Sequence, residues 1–454
     1  MLTPFTKSIL LFLLLALPPT VAKLEAQSVL DGYVREGLGS NLVLKEKQLG
    51  LQRGLLGLQN AKRIFLPSIN FNGSYTLAAG GRKIDFPIGD LLNPVYGTLN
   101  QLTQSNSFPQ IENEQITFLP NNFYDVKVRA TVPIVNSDLI HNRHLQDQNM
   151  EMKQAEVDVY RLELVKTIRQ GYYQYLMAIE AKGIYASAQQ LVEQNLRVTK
   201  SLLENGKGLP AQVLRAESEL EGVKAQVTQA EANVQNAQAY FNFLLNRAST
   251  TEVIAEPMEL PVDLREKLMD ETKIARRPEL DQLDIALKMN NEALKMDRQY
   301  WLPSVGAFVD LGSQGFKFEV SKNTAYAMAG ISVDLPVWNG GRDQTAIALR
   351  EQGNRELENK VSQATQGIDL AIFTRRNSTL AAYDSWKGAL RQVDAAEAYF
   401  RLMERAFAQG ASSLIEYIDA RNQVTQARLL ANIRKYETFI GWAEYRREIA
   451  EVVE

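Results

Sequence analysis

Glu416 and Asp419 stand at i and i+3, a spacing that sets two carboxylates on one face of a helix. Carboxylates that converge raise one another's pKa, attract cations and can set the conductance of a pore; the plainer reading is a solvated, charged helix face. His141 and His144 share that spacing and could in principle bind a metal, but the neighbouring sequence offers no third ligand, so the reading is a polar junction and no metal site. Trp338, Asn339, Gly340, Gly341 and Arg342 make a glycine turn without the Lys-Ser/Thr of a phosphate loop. It reads as a strand-to-helix hinge, with Asn339 able to cap. No set of serine, histidine and acid, no HExxH and no cysteine occurs. That leaves no catalytic residue to name and excludes disulfides, thiolate metal sites and a cysteine nucleophile. Neither an enzyme nor a cofactor is expected.

The elements that must position these residues are written twice along the chain. Leu66-Pro67-Ser68 is echoed by Leu302-Pro303-Ser304, and Val132-Pro133-Ile134-Val135-Asn136 by Leu335-Pro336-Val337-Trp338-Asn339. Gly206 corresponds to Gly410 at an offset of 204. Between the first two landmarks the period is two. Ile69, Phe71, Tyr75 and Leu77 alternate with polar residues, as do Tyr124, Val126, Val128, Ala130 and Val132. The second copy repeats this with Val305, Ala307, Val309 and Leu311, then Ala329, Ile331, Val333 and Leu335. Segments of this kind suit a membrane β-barrel, apolar outward and polar inward, or a soluble sandwich. The first copy carries extra residues, roughly 79–122, which read as a long outer loop.

Each strand pair is followed by a stretch too long for an ordinary globular helix. Residues 138–205 and 341–409 contain no proline, and at 1.5 Å per residue each predicts a helix about 100 Å long. Each then reverses at a glycine-containing turn. In the first return helix Val213, Ala216, Leu220, Val223, Val227, Ala230, Val234, Ala237, Phe241 and Leu244 step by three and four, a coiled-coil seam. Tyr417, Ala420, Val424, Ala427 and Ala431 keep the same register in the second.

Composition agrees with a structured chain: 454 residues, 45% hydrophobic and 23% charged. Fifty Lys and Arg against 53 Asp and Glu leave a net charge of -3, which gives no footprint for nucleic acid. Past residue 20 no apolar run approaches the roughly 18 residues of a membrane-spanning helix, which leaves a barrel open. Residues 1–26 read as a signal peptide, with Lys7 ahead of an apolar core at 9–17, Pro18 and Pro19 after it, and a cut after Ala26. Four strands cannot close a sheet, and open edges in lipid leave backbone groups unpaired. Several chains must share one barrel; three give twelve strands and leave a lumen, whereas two would fill it with side chains.

Taken with Ala275-Arg276-Arg277-Pro278-Glu279-Leu280 and Leu335-Pro336-Val337-Trp338-Asn339-Gly340-Gly341-Arg342, these duplicated landmarks resemble the TolC-like outer-membrane efflux proteins, the outer membrane factors. The resemblance covers essentially the whole mature chain. It implies a mixed α and β membrane protein: a homotrimeric twelve-strand barrel in the outer membrane, four strands per chain, continued by a long periplasmic α-helical barrel. The domains would be a signal peptide (1–26), N-terminal helices (27–66), a β-hairpin with its long extracellular loop (67–136) and a helical hairpin (137–247). An equatorial segment (248–271), a helix (272–301), a second β-hairpin (302–339) and a second helical hairpin (340–454) would follow.

The resemblance also implies a function, that of a passive exit duct of a tripartite efflux pump or type I secretion system. Its partners would be a periplasmic adaptor and, through it, an inner-membrane transporter. The adaptor would dock at the tips, Gly206, Lys207, Gly208, Leu209, Pro210, Ala211 and Leu214 in one and Gly410, Ala411, Ser412, Ser413 and Leu414 in the other. Glu416 and Asp419 would ring the periplasmic aperture, with Gln212 and Arg215 at the matching first-copy positions and an Arg215 to Asp419 link able to hold it shut. Asn136, Asn339, Gly340 and Gly341 would form the strand-to-helix hinges. Two other classes fit parts of the pattern: a periplasmic adaptor, which would carry one hairpin between soluble β modules, and a structural coiled-coil scaffold, which needs no amphipathic strands.

Overall fold

A computed structural model describes residues 29–270 and 275–451; the signal peptide expected at 1–26 lies outside the described residues. The elements in chain order are α1 (Val29–Ser40), α2 (Leu42–Arg63), β1 (Ser68–Thr76), β2 (Lys83–Phe86), α3 (Ile88–Thr103), β3 (Glu114–Thr117), β4 (Phe123–Val135) and α4 (Ser137–Glu204). Then come α5 (Pro210–Leu244), α6 (Leu264–Met269), α7 (Pro278–Arg298), β5 (Ser304–Phe316), β6 (Ala325–Asp334), α8 (Arg342–Ala408) and α9 (Leu414–Glu448). The chain forms two compact units. One comprises the residues up to 50 with 154–282 and 361–454; the other comprises 51–153 and 283–360. Among the described residues no helix is long and apolar enough to cross a membrane.

The second unit is built on an antiparallel sheet of order β1-β4-β5-β6. Its central pair joins β4 to β5, one from each half of the sequence, with Val128 opposite Leu311 and Ala130 opposite Val309. Because side chains alternate across a pleated sheet, this register puts the apolar set of every strand on one face. Ile69, Phe71, Val128, Val309, Leu311, Ile331 and Val333 are all exposed there. The opposite face carries Asp125, Lys127, Arg129, Asp310 and Tyr326. Arg129 grips the fully buried Asp310 with Nε at 2.7 Å and Nη2 at 2.6 Å, and the Tyr326 hydroxyl donates to Asp125 at 3.1 Å. The extra residues between β1 and β4 are ordered too. They hold a β2–β3 ribbon with Ile84 opposite Ile116, and α3, whose Asn93 and Asn100 bond the backbone of Ile111 and Phe108.

The two junctions from strand to long helix differ. Asn136 caps α4 by accepting from the Leu139 amide at 3.0 Å. The cap expected of Asn339 is corrected. Gly340 and Gly341 intervene at φ 76° and 80°, and α8 begins only at Arg342. The Gly341 carbonyl accepts from the Thr345 amide, and Asn339 instead offers its own carbonyl to the Arg342 Nε at 3.2 Å.

The first unit contains both hairpin turns. Half of the seam positions of α5 are buried, at Ala216, Val223, Ala230, Phe241 and Leu244, and Val223 packs with Ala188 and Val192 of α4. In α9 Tyr417, Ala420, Val424 and Ala431 are buried in the same register. Burying such a stripe is what stabilises helices this long, since isolated helices are marginal in water. Residues 251–261 form no helix or strand. Tyrosine hydroxyls satisfy part of their backbone: Tyr172 donates to Ile254 and Tyr175 to Val253, while Tyr445 donates to Leu268 in α6.

Candidate functional site

Both hairpins of the first unit reverse by one device. At each tip the glycine takes a left-handed conformation, φ 69° at Gly206 and 72° at Gly410, which costs glycine little. The next amide then reaches five residues back, Lys207 to Leu202 and Ala411 to Ala406, both at 2.8 Å, closing the last helical carbonyls. Each return helix opens with a residue whose side chain turns back to its own cap. The Gln212 Oε1 accepts from the Leu209 amide at 3.0 Å, and the Glu416 Oε2 accepts from the Ser413 amide at 2.7 Å and hydroxyl at 3.0 Å. Those Ser413 donors hold the Glu416 carboxyl below its ordinary range. Ser413 completes a reciprocal capping box, accepting from the Glu416 amide.

The tips expose Lys207, Leu209, Pro210, Ala211 and Leu214 on one side, and Gly410, Ala411 and Ser413 on the other. Leu414 does not belong with them. It is buried with Tyr417 and Ile418 against Phe400 and Phe407, and burial pushes the Tyr417 hydroxyl's pKa up. Ile415, which sequence reasoning passed over, is 74% exposed beside it.

One turn further in, Arg215 and Asp419 do not meet. Arg215 pairs with Glu219 of its own helix at 2.7 Å, and Asp419 accepts from Gln423 of its own helix at 2.7 Å. The reason is local: i,i+4 partners on one helix need no second helix to bring them together. Nearest the tips the two hairpins are linked instead through Arg421, whose Nη2 donates to the Glu219 Oε2 at 3.0 Å and, on its own helix, to Asn422 at 2.7 Å; farther from the tips Lys435 and Tyr436 reach Glu180. Arg421 is 1% exposed, and its Nε and Nη1 find no partner among the described residues. Neither Arg421 nor Glu219 stood out in the sequence, because each is an ordinary charged residue in a helical run.

A second cluster lies in the other unit, on α4 and α7. The expectation that His141 and His144 lack a third ligand is corrected by the fold. Glu292, far off in sequence, presents its Oε1 at 2.7 Å from the His141 Nδ1 and 2.8 Å from the His144 Nδ1. Lys295 sits at 3.1 Å from the other carboxylate oxygen. Burial disfavours the charged carboxylate, but His141, His144 and Lys295 outweigh it and hold Glu292 down at about 2.

Residues 34–247 and 271–438 match the family described as Outer membrane efflux protein. The chain belongs to that family. Its place, as an outer membrane efflux protein, is the bacterial outer membrane. It is 21% identical over 300 residues to the probable efflux pump outer membrane protein TtgC of Pseudomonas putida, a match covering 63% of this chain and 60% of TtgC. The chain thus spans under two thirds of that relative's length. With nodulation protein T of Rhizobium leguminosarum it shares 20% over 431 residues, 90% of this chain and 83% of the relative. The fold matches the CmeC outer membrane channel of Campylobacter jejuni with a TM-score of 0.73 at 14% identity, covering 93% and 86% of the two chains. It matches the open state of the MtrE outer membrane channel of Neisseria gonorrhoeae with a TM-score of 0.70 at 16%, covering 93% and 88%.

Proposed function

We propose that three copies of this outer membrane efflux protein assemble into a passive exit duct. The observation that carries this reading is the sheet. Its four strands offer lipid an apolar face, and within the sheet β1 and β6 each pair on one side only. Three such sheets joined edge to edge make a twelve-stranded barrel with the polar face inward. The helical hairpins then form a periplasmic tube, and the duct serves a tripartite pump or a type I secretion system. Energy comes from an inner-membrane transporter, reached through a periplasmic adaptor docked at the tips around Leu209, Leu214 and Ala411. The reading includes no enzymatic step.

Asp419, near the tip, is the residue we assign to the aperture. Glu416 contributes less, because its carboxylate is already engaged by its own helix cap. The buried Arg421 to Glu219 pair takes over the holding role expected of Arg215 and Asp419.

Planar-bilayer conductance of the detergent-purified protein, with its mass by light scattering, tests the whole. A trimer with a small, cation-selective conductance that rises in Asp419→Asn supports the duct and its acidic entrance. A species that stays in solution without detergent and conducts nothing defeats both. Replacing Ala411 and Ser412 by a bulky charged pair should abolish co-purification with an adaptor while the trimer persists; unchanged co-purification would remove the tips from docking.

A further inference from the structure

The two strands at the centre of the sheet, β4 and β5, are antiparallel partners, with Val135 opposite Val305 at one end. The chain leaves that end of β4 into α4 and enters that end of β5 from α7. Just beyond it, His141 and His144 on successive turns of α4 meet Glu292 of α7. We propose that these three side chains bind one late first-row divalent cation, Zn2+ or a cation of its class, which staples α4 to α7.

Three observations point to a metal ligand set. The first is convergence: one nitrogen of each imidazole and one carboxylate oxygen lie within 4.8 Å of one another. A tetrahedral ion about 2.1 Å from each ligand needs spacings of about 3.4 Å, so the two contacts to Glu292 would open by about 0.6–0.7 Å. His144, with its side chain 49% exposed, has room to do so, and its open side leaves a fourth position for water.

The second is orientation. The His141 Nε2 lies 2.9 Å from the Gln299 Oε1, and that oxygen also accepts from the Ser137 hydroxyl at 2.5 Å. With a cation bound, an Nε2–H kept on this oxygen would leave the Nδ1 lone pair for the metal, in place of the proton that bridges Nδ1 and the carboxylate at 2.7 Å. An imidazole fixed through its remote nitrogen by an oxygen acceptor is the usual partner arrangement of a metal-bound histidine. Lys295 does the same for the carboxylate, holding Oε2 and turning Oε1 to the histidines. As a cation it opposes a second positive charge, but its side chain is 65% exposed and can swing into solvent.

The third is placement. His141 and Glu292 are buried, at 7% and 6% exposure, so their ordering has already been achieved by folding. Two imidazoles and one carboxylate favour zinc, cobalt, nickel or copper over magnesium or calcium, which prefer all-oxygen sites.

The test is titration of the detergent-purified, chelator-washed full chain with Co2+, followed by visible absorption, together with thermal unfolding with and without Zn2+. Uptake of one Co2+ per chain with the intense bands of a four-coordinate site, and a raised unfolding midpoint with Zn2+, are expected. His144→Ala should abolish both while leaving the apo-protein's helical signal intact. Gln299→Leu, which removes only the orienting acceptor, should weaken binding about tenfold. No uptake above the level of the His141→Ala/His144→Ala variant, weak six-coordinate bands, or binding indifferent to these substitutions would overturn the site and leave a proton-bridged clamp in its place.

Discussion

The two helical tips share one backbone and differ in side chains. Gly206 and Gly410 take the same left-handed turn, Gln212 and Glu416 fold back on their caps alike, and Arg215 and Asp419 each reach one turn along their own helix. At that last position the charge is reversed. The two hairpins share the geometry of a reversal, which the backbone dictates, and differ in the charges, which it does not. Near the tips the symmetry is broken by Arg421 with Glu219, where a fully buried guanidinium on one hairpin borrows its counter-charge from the other.

Removing that pair should have the largest effect. Glu219→Ala leaves the buried Arg421 guanidinium without its counter-charge, and losing one side of a buried pair costs about 3 kcal/mol. Amides around the two tips should then exchange about a hundredfold faster by hydrogen-deuterium exchange. Protection unchanged at both tips would mean that this pair does not hold the hairpins together there.

Next come the glycines, which test whether the shared backbone is equally demanding. Gly206→Ala and Gly410→Ala should each cost about 1–2 kcal/mol, since neither site lacks space and only the left-handed backbone resists a Cβ. Equal losses in thermal unfolding sharpen the equivalence; a large difference breaks it.

The caps separate the tips by pH. Because the folded pKa of Glu416 lies below its ordinary value of 4.5, its contribution is complete above that value and is lost as pH falls through the depressed one. Acidification should therefore fray the first turn of α9 while leaving α5, capped by Gln212, as it was. Glu416→Gln should abolish the difference, and fraying of both tips together would point to another group. Smallest of all is Arg215→Ala. Its exposed pair with Glu219 should change stability by less than about 0.5 kcal/mol in urea unfolding.

Much of this was legible in the sequence where the signal is local or periodic. The period of two marked the four long strands, the unbroken seam of α5 its buried face, and Gly206 and Gly410 the reversals. The Ser413 to Glu416 cap was equally local, a Ser-x-x-Glu ahead of an apolar run, yet Glu416 was read for its charge alone. The polar composition of residues 79–122 hid α3 and the β2–β3 ribbon, although Ile84 and Phe86 alternate with polar neighbours and Leu91, Leu92, Val95 and Leu102 recur at helical steps. What stayed out of reach were pairings that only the fold brings about. Glu292 gives no hint in its own neighbourhood of two histidines 148 and 151 residues away. Arg421 and Glu219 are separated by 202.

The order β1-β4-β5-β6 gives the sheet one edge from each half of the sequence, so the proposed ring of copies would have identical seams, each joining β1 of one chain to β6 of the next. No seam is privileged, and none can be bypassed. A chain with a damaged β6 would still be recruited through its intact β1 and would spoil the ring that accepts it. In the proposed threefold assembly, equal expression of intact and damaged chains would leave roughly one ring in eight whole. At the level of the cell, such an allele would behave as dominant.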